Sequence, residues 1–214
     1  NMYRLERRPA LREWLARDGV MILDGIGLKV GGLVSGLGWL PDLNGTDLFP
    51  FVMERAASRG IGVFLLGGEP GVAERAAARM KERYDGIAIA GCLDGYFGRG
   101  EEAAIAARIR RSDARLLLVG RGFVRQEAFV LRQRDRLGVS LAWNVGGLFD
   151  FVSGAKPRAP LVLRRVRLEW LYRFLLEPRR MWRRNLVEAP AQLARILRRR
   201  PARVAERRGA ARDE

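Results

Sequence analysis

The stretch Gly62-Val63-Phe64-Leu65-Leu66-Gly67-Gly68 sets four large apolar residues in a row between glycines. An amphipathic helix or a half-exposed strand would break such a run with polar residues. An unbroken short run suits a strand covered on both faces. Four more stretches have this form: residues 20–23 before Asp24-Gly25, 87–90 before Gly91, 115–119 before Gly120, and 140–145 before Gly146-Gly147. Helical patterns fill 48–59, 71–83, 101–110 and 126–136 between them. Strand and helix in alternation imply parallel strands joined by right-handed crossovers. The expected fold is therefore α/β, an open, mainly parallel sheet with helices on both faces in a Rossmann-like arrangement.

In such a sheet ligands bind at the carboxyl ends of the strands, where this sequence places Asp24-Gly25, Gly67-Gly68, Gly120 and Gly146-Gly147. Glycines there let backbone N–H groups approach a phosphate. They are equally the default residues of tight turns, and for a single glycine both readings stand. Neither G-x-x-x-x-G-K-[ST] nor a strand followed by G-x-G-x-x-G occurs, which removes the P-loop and the dinucleotide fingerprint.

The chain has 214 residues and a formal net charge of +16, from 40 Lys and Arg against 24 Asp and Glu. Residues 156–214 alone carry 18 of those cations and 6 of those anions, a net of +12. The change falls at Ser153-Gly154-Ala155-Lys156-Pro157. Residues 1–154 thus read as a nearly neutral α/β body, 155–190 as a basic amphipathic appendage, and 191–214 as a basic tail expected to be disordered. There is no histidine and one cysteine, Cys92. That excludes a Ser-His-Asp or Cys-His triad, a zinc site built on His or paired Cys, and an internal disulfide. No run of about 18 uncharged apolar residues occurs, and residues 1–4 carry no signal-peptide core. The expected location is cytoplasmic, either free or on a membrane face. The opening Asn1-Met2 reads as the start of a fragment whose natural beginning lies upstream.

Without histidine, a general base must come from Asp, Glu, Lys, Tyr or Cys. Asp24, at the end of the first expected strand, is placed to take a proton from a hydroxyl; it is also a favoured N-cap. Gln126-Glu127 opens a helix after Gly120-Arg121-Gly122-Phe123 and reads either as a sugar or phosphate contact or as a solvated first turn. Tyr96, in Asp94-Gly95-Tyr96-Phe97, reads as a stacking ring or a plug at the core edge. Asp150 follows Gly146-Gly147-Leu148-Phe149 just past a strand. Thr46 and Asp47 are candidate helix caps, and Cys92 has no activating partner.

Leu168, Leu171, Leu175 and Trp182 recur at helical steps in the appendage, with Arg165, Arg173, Arg179, Arg180, Arg183 and Arg184 supplying another face. Pro178 divides it into two short helices. Basic helices bearing Trp and Leu bind anionic membranes, and each cation near the surface adds about 1 kcal/mol. Two rivals remain: a helix packed on the body with a solvated Arg face, and a basic adaptor for nucleic acid or an acidic partner. The bulky apolar residues among the arginines favour lipid over nucleic acid. A soluble homo-oligomer that hides the apolar face is a further expectation.

Eight strings in one order carry a resemblance: Asp24-Gly25-Ile26-Gly27, Asn44-Gly45-Thr46-Asp47, Phe64-Leu65-Leu66-Gly67-Gly68-Glu69-Pro70-Gly71, Asp94-Gly95-Tyr96-Phe97, Gln126-Glu127, Gly146-Gly147-Leu148-Phe149-Asp150-Phe151, Arg158-Ala159-Pro160 and Glu169-Trp170-Leu171-Tyr172-Arg173. Over about residues 1–185 the chain resembles the WecG/TagA/CpsF glycosyltransferases. The resemblance implies inverting transfer of a hexose or N-acetylhexosamine from a UDP-sugar to a polyprenyl-diphosphate-linked saccharide. The reaction is expected on the inner face of the cell membrane, with no metal or other cofactor, in teichoic acid or cell-surface polysaccharide synthesis. It implies Asp24 as catalytic base. Gly67, Gly68, Tyr96, Gln126, Glu127, Gly146, Gly147 and Asp150 are expected at the donor. Thr46, Asp47, Arg173, Arg179, Arg180, Arg183 and Arg184 are expected at the acceptor and the membrane. Two departures are visible. The family's strand ending in a Thr-x-Asn-like motif does not precede Asp24 here, and Asp42 stands where many members carry Arg.

Overall fold

The computed structural model describes residues 8–20, 22, 32, 33, 38, 45–157, 159, 160, 163, 169–176, 178–182, 187, 191 and 194. One compact unit, residues 8–19 and 45–158, holds α1 (Pro9–Asp18), α2 (Gly45–Ser58), β1 (Val63–Gly67), α3 (Val72–Arg83), β2 (Ile89–Leu93), a 3-10 turn (Arg99–Glu101), α4 (Glu102–Arg111), β3 (Leu116–Gly120), α5 (Arg125–Leu137), β4 (Leu141–Asn144) and α6 (Leu148–Val152). The other unit contains two described helices, α7 (Glu169–Leu176) and α8 (Pro178–Trp182), which pack against each other.

The four strands are all parallel, in the order β2-β1-β3-β4. This is the α/β arrangement expected from the alternating pattern. The period of two sends Val63, Leu65 and Leu118 to one face, where they meet Phe49 and Met53 of α2, Ala73, Ala76 and Met80 of α3, and Leu148 and Phe149 of α6. Phe64, Leu66, Leu117 and Val119 go to the other face, against Ala106 and Ile109 of α4 and Phe129, Val130 and Leu137 of α5. Both faces of the central strands β1 and β3 are covered, so these two need no polar positions. Full burial stabilises each such side chain by about 1.5–3 kcal/mol relative to exposure.

Helix α3 illustrates the local logic. Val72, Ala73, Ala76, Ala77 and Met80 form one buried stripe. Glu74 in the first turn and Lys81 and Arg83 in the last oppose the helix dipole favourably. Helix α5 ends at Gly138, whose φ of +67° is the left-handed cap that glycine adopts without penalty.

The element bounds differ from the sequence pattern by up to a few residues, with one difference that has a clear cause. The second strand runs from Ile89 to Leu93 rather than stopping before Gly91. Gly91 is not a turn residue: a Cβ on it would press to 2.6 Å from the Phe64 ring. It is glycine because that ring lies on its backbone. Pairing between β1 and β2 slips by one residue at this place, between Val63 and Phe64. Helix α1 was not foreseen; Leu11 is its buried residue, and Trp14 packs on the α4–α5 side of the core. The strand expected at 20–23 falls partly outside the described residues. Of its members, Val20 is exposed and Ile22 belongs to no regular element.

The tip of β1 is the tightest place in the sheet. Gly67 has φ +145°, and a Cβ there would overlap the Gly120 carbonyl. Gly67→Ala should therefore cost about 2 kcal/mol or more, from strain together with a clash against backbone. Gly100→Ala, where a Cβ meets nothing within 4 Å, should stay within about 0.5 kcal/mol of the parent. Urea unfolding of both variants reads the difference, and equal stabilities would contradict it.

Candidate functional site

The chain leaves β1 for β2 in one direction and then crosses to β3 and β4 in the other, so the order reverses between β1 and β3. In an open parallel sheet that reversal opens the ligand crevice at the carboxyl ends. Here Gly67 lies directly opposite Gly120 across it. The Gly68 N–H donates to the Gly120 carbonyl at 3.1 Å, and the Gly95 N–H donates to the Gly68 carbonyl at 2.9 Å. A Cβ on Gly120 would stand 2.9 Å from both the Gly146 carbonyl and the Phe149 ring. The strand-end glycines are thus brought together, and close approach of one tip to the next is what requires them. Gly146, at φ +58°, and Gly122, at φ +76°, are different: among the described residues a Cβ on either would meet no atom within 4 Å.

The segment after β2 turns back over this place. The Asp94 carboxylate accepts the Tyr96 N–H at 2.8 Å, an Asx turn that leaves the Tyr96 ring 70% exposed. Arg121, the residue after Gly120, reaches across from β3. Its Nε–H donates to the Gly95 carbonyl at 2.9 Å and its Nη2 to the Phe97 carbonyl at 2.7 Å. Its guanidinium lies 3.4 Å from the centroid of the Phe97 ring, which meets Phe129 of the core edge-on. Burial pulls the pKa of Arg121 below its ordinary value, yet a guanidinium stays charged at any pH at which the protein folds.

Helix α5 begins one turn beyond Arg121. The Glu127 side chain folds back to accept the Val124 N–H at the helix entrance and the Gln126 Nε2–H at 2.8 Å. Val124 has φ +78°, a left-handed conformation that a β-branched residue adopts only under strain. Both Gln126 and Glu127 are buried, at 5% and 6% exposure. Burial pushes the Glu127 carboxyl up, against the opposing pull of its hydrogen bonds from Gln126 and the Val124 backbone. Among the described residues the Gln126 Oε1 is buried with no partner, and so is Oδ1 of Asn144. Strand alternation puts Asn144 on the same face as Ala142, the α5 side. Such orphaned acceptors cost free energy unless a ligand or water donates to them.

Among the other expected donor residues, Gly147 precedes α6, with its Cβ direction 3.8 Å from the Asp150 carboxylate. Asp150 pairs with Lys156 at 2.9 Å, and the Lys156 N–H donates to the Asp150 carbonyl. Thr46 and Asp47 lie in the first turn of α2. Thr46 borders a groove of about 390 Å³ lined by Phe49 and Pro50 of α2, Arg79, Met80 and Arg83 of α3, and Phe151 of α6, among others. The residues lining that groove include none of the strand-end glycines and neither Gln126 nor Glu127. Asp24, Arg183 and Arg184 lie outside the described residues. Arg173 and Arg180 are in α7 and α8 with side chains outside the description, and Arg179 in α8 is exposed. Arg121, Asn144 and Lys156 were not singled out from sequence. An arginine directly after a strand-terminal glycine was the one available signal.

The family model described as the glycosyl transferase WecG/TagA/CpsF family matches residues 1–206.

Glu127 yields a pH test. Its carboxyl holds a proton more tightly in the native state than the ordinary 4.5. Its favourable contribution is therefore complete below about pH 4.5 and is lost as pH rises through the folded pKa. The stability of the parent minus that of Glu127→Gln should fall over this range in urea unfolding. A flat difference would show that burial does not perturb the group.

Proposed function

Since the chain belongs to the WecG/TagA/CpsF family of glycosyltransferases, we propose that its donor is a UDP-sugar and its acceptor a polyprenyl-diphosphate-linked saccharide. The observation that supports a sugar nucleotide at the strand ends is Gln126. Its buried carbonyl oxygen, without a partner among the described residues and on the first turn of α5, calls for an N–H or O–H donor. Sugar hydroxyls and the imide of uracil both supply one. Gly146 adds a backbone that a ligand can approach without meeting a side chain.

In the proposed reaction Asp24 accepts the proton of the acceptor hydroxyl as that oxygen attacks the anomeric carbon. The bond from that carbon to the UDP oxygen breaks on the opposite face, so the configuration inverts and UDP leaves with the electron pair. The donor diphosphate is met by backbone N–H groups at the strand ends and by arginines, with no metal required. Tyr96 and Asp150 complete the donor contacts, and Thr46, Asp47, Arg173, Arg179, Arg180, Arg183 and Arg184 serve the acceptor and the membrane. The product belongs to a cell-surface polysaccharide or teichoic acid.

Among the described residues no helix is long and apolar enough to cross a membrane. A peripheral attachment through α7 and α8 is proposed instead. Leu175 and Trp182 are exposed there, at 69% and 51%, beside exposed Arg179. Apolar side chains among cations match the inner leaflet, where anionic headgroups overlie acyl chains.

Two measurements decide these points. Asp24→Asn should lose transfer by about 10³-fold or more, in line with removal of a general base, while UDP still raises the melting temperature as in the parent. Substantial transfer by that variant would remove Asp24 as the base, and absence of any UDP effect on the parent would refute the donor assignment. Replacing Leu175 and Trp182 together with Glu should weaken flotation with anionic vesicles by about tenfold or more, the loss of buried apolar area. Unchanged flotation would exclude this face.

A further inference from the structure

We propose that Arg121 is a positioning residue for the donor site: it locks the segment Asp94–Phe97 over the β1 tip and thereby fixes Tyr96. The proposal rests on the donor reading above for Tyr96, and on geometry alone for the lock.

The lock is built from both sides. The segment leaves β2, at one edge of the sheet, and has to stay over the junction of β1 and β3. Among the described residues one backbone bond ties it to the β1 tip, from the Gly95 N–H to the Gly68 carbonyl. Arg121 supplies the rest, donating to the carbonyls of Gly95 and Phe97, the residues on either side of Tyr96. A planar fork with fixed N–H directions can hold two carbonyls at once, which an ammonium on a flexible stem does not. The stem is held too: a Cβ on Gly95 would lie 3.3 Å from the Arg121 Cγ, 3.2 Å from the Gly67 Cα and 3.4 Å from the Gly68 nitrogen. The guanidinium then rests on Phe97, whose other contact is the core residue Phe129. Among the described residues no carboxylate forms an ion pair with Arg121, so its hydrogen bonds go to neutral backbone oxygens of the one segment that carries Tyr96. A charge recruited for solubility or for an acidic partner would not be spent in this way. Tyr96 itself has no such anchor. Its ring is 70% exposed, so the ring's place is set by its backbone.

The test uses the full chain and two variants, Arg121→Gln and Arg121→Lys. Amide hydrogen exchange at residues 94–98 should quicken by about tenfold or more in both, with exchange in β1 and β3 unchanged. Lys keeps the charge but not the fork, so it should fail to restore protection. UDP affinity, read by calorimetry, should fall by about tenfold in both variants. In a Tyr96→Ala background the same substitutions should change UDP affinity by less than about twofold, because a residue acting through Tyr96 has nothing left to position. Unaltered exchange at 94–98 overturns the lock. Restoration of affinity by Lys, or effects that simply multiply with Tyr96→Ala, overturns positioning in favour of a direct charge on the ligand. If the parent binds no UDP, the donor reading fails, while the exchange result still decides the lock.

Discussion

The approach of two strand tips, Gly67 of β1 and Gly120 of β3, governs the rest of the structure. These residues sit opposite each other in the central pair of a four-stranded parallel sheet. A Cβ on Gly67 would overlap the Gly120 backbone, and a Cβ on Gly120 would press on the Gly146 carbonyl and the Phe149 ring. The approach follows from topology, since the chain reverses its winding here. Backbone from the neighbouring ends adjoins the pair, through Gly95 on one side and Gly146 on the other. Hydrophobic burial on the two faces makes the sheet, and the glycines decide how its edge is finished.

That edge has a polarity. On the β2 side a cation, Arg121, is spent on backbone carbonyls. On the α5 side a carboxyl, Glu127, satisfies the helix entrance from within its own chain. On the α5 side there are also buried amide oxygens, of Gln126 and Asn144, without partners among the described residues. The arrangement suits a neutral, hydroxyl-rich or imide-bearing group near α5, since an orphaned acceptor gains most from a donor and nothing from another anion. The chain belongs to a glycosyltransferase family, and the sugar nucleotide proposed as its donor carries groups of this kind.

Much of the fold was legible because burial on both faces writes itself as uninterrupted apolar runs. Residues 63–66 and 115–119 could hardly be anything but covered strands. Gly91 was misread because a glycine that accommodates a neighbouring ring looks, in sequence, like one that ends a strand. The strand-end glycines were found by position, but the tip-to-tip contact that needs them is a property of strand order. Gln126 and Glu127 were found as a pair after a strand; that one caps and the other is left with an orphaned oxygen depends on a backbone path no local pattern encodes. Arg121 was passed over because an arginine in a Gly-Arg-Gly stretch reads as surface charge, and its partners come from a segment 24 and 26 residues earlier.

The inward fold of Glu127 has a consequence for the way a substrate enters. A helix entrance ordinarily attracts phosphate, but at α5 that seat is taken by the protein's own carboxyl. A molecule with a charged middle and uncharged ends is then steered by rejection. For the sugar-nucleotide donor proposed above, that would turn the diphosphate away from α5 and favour one of its two lengthwise orientations.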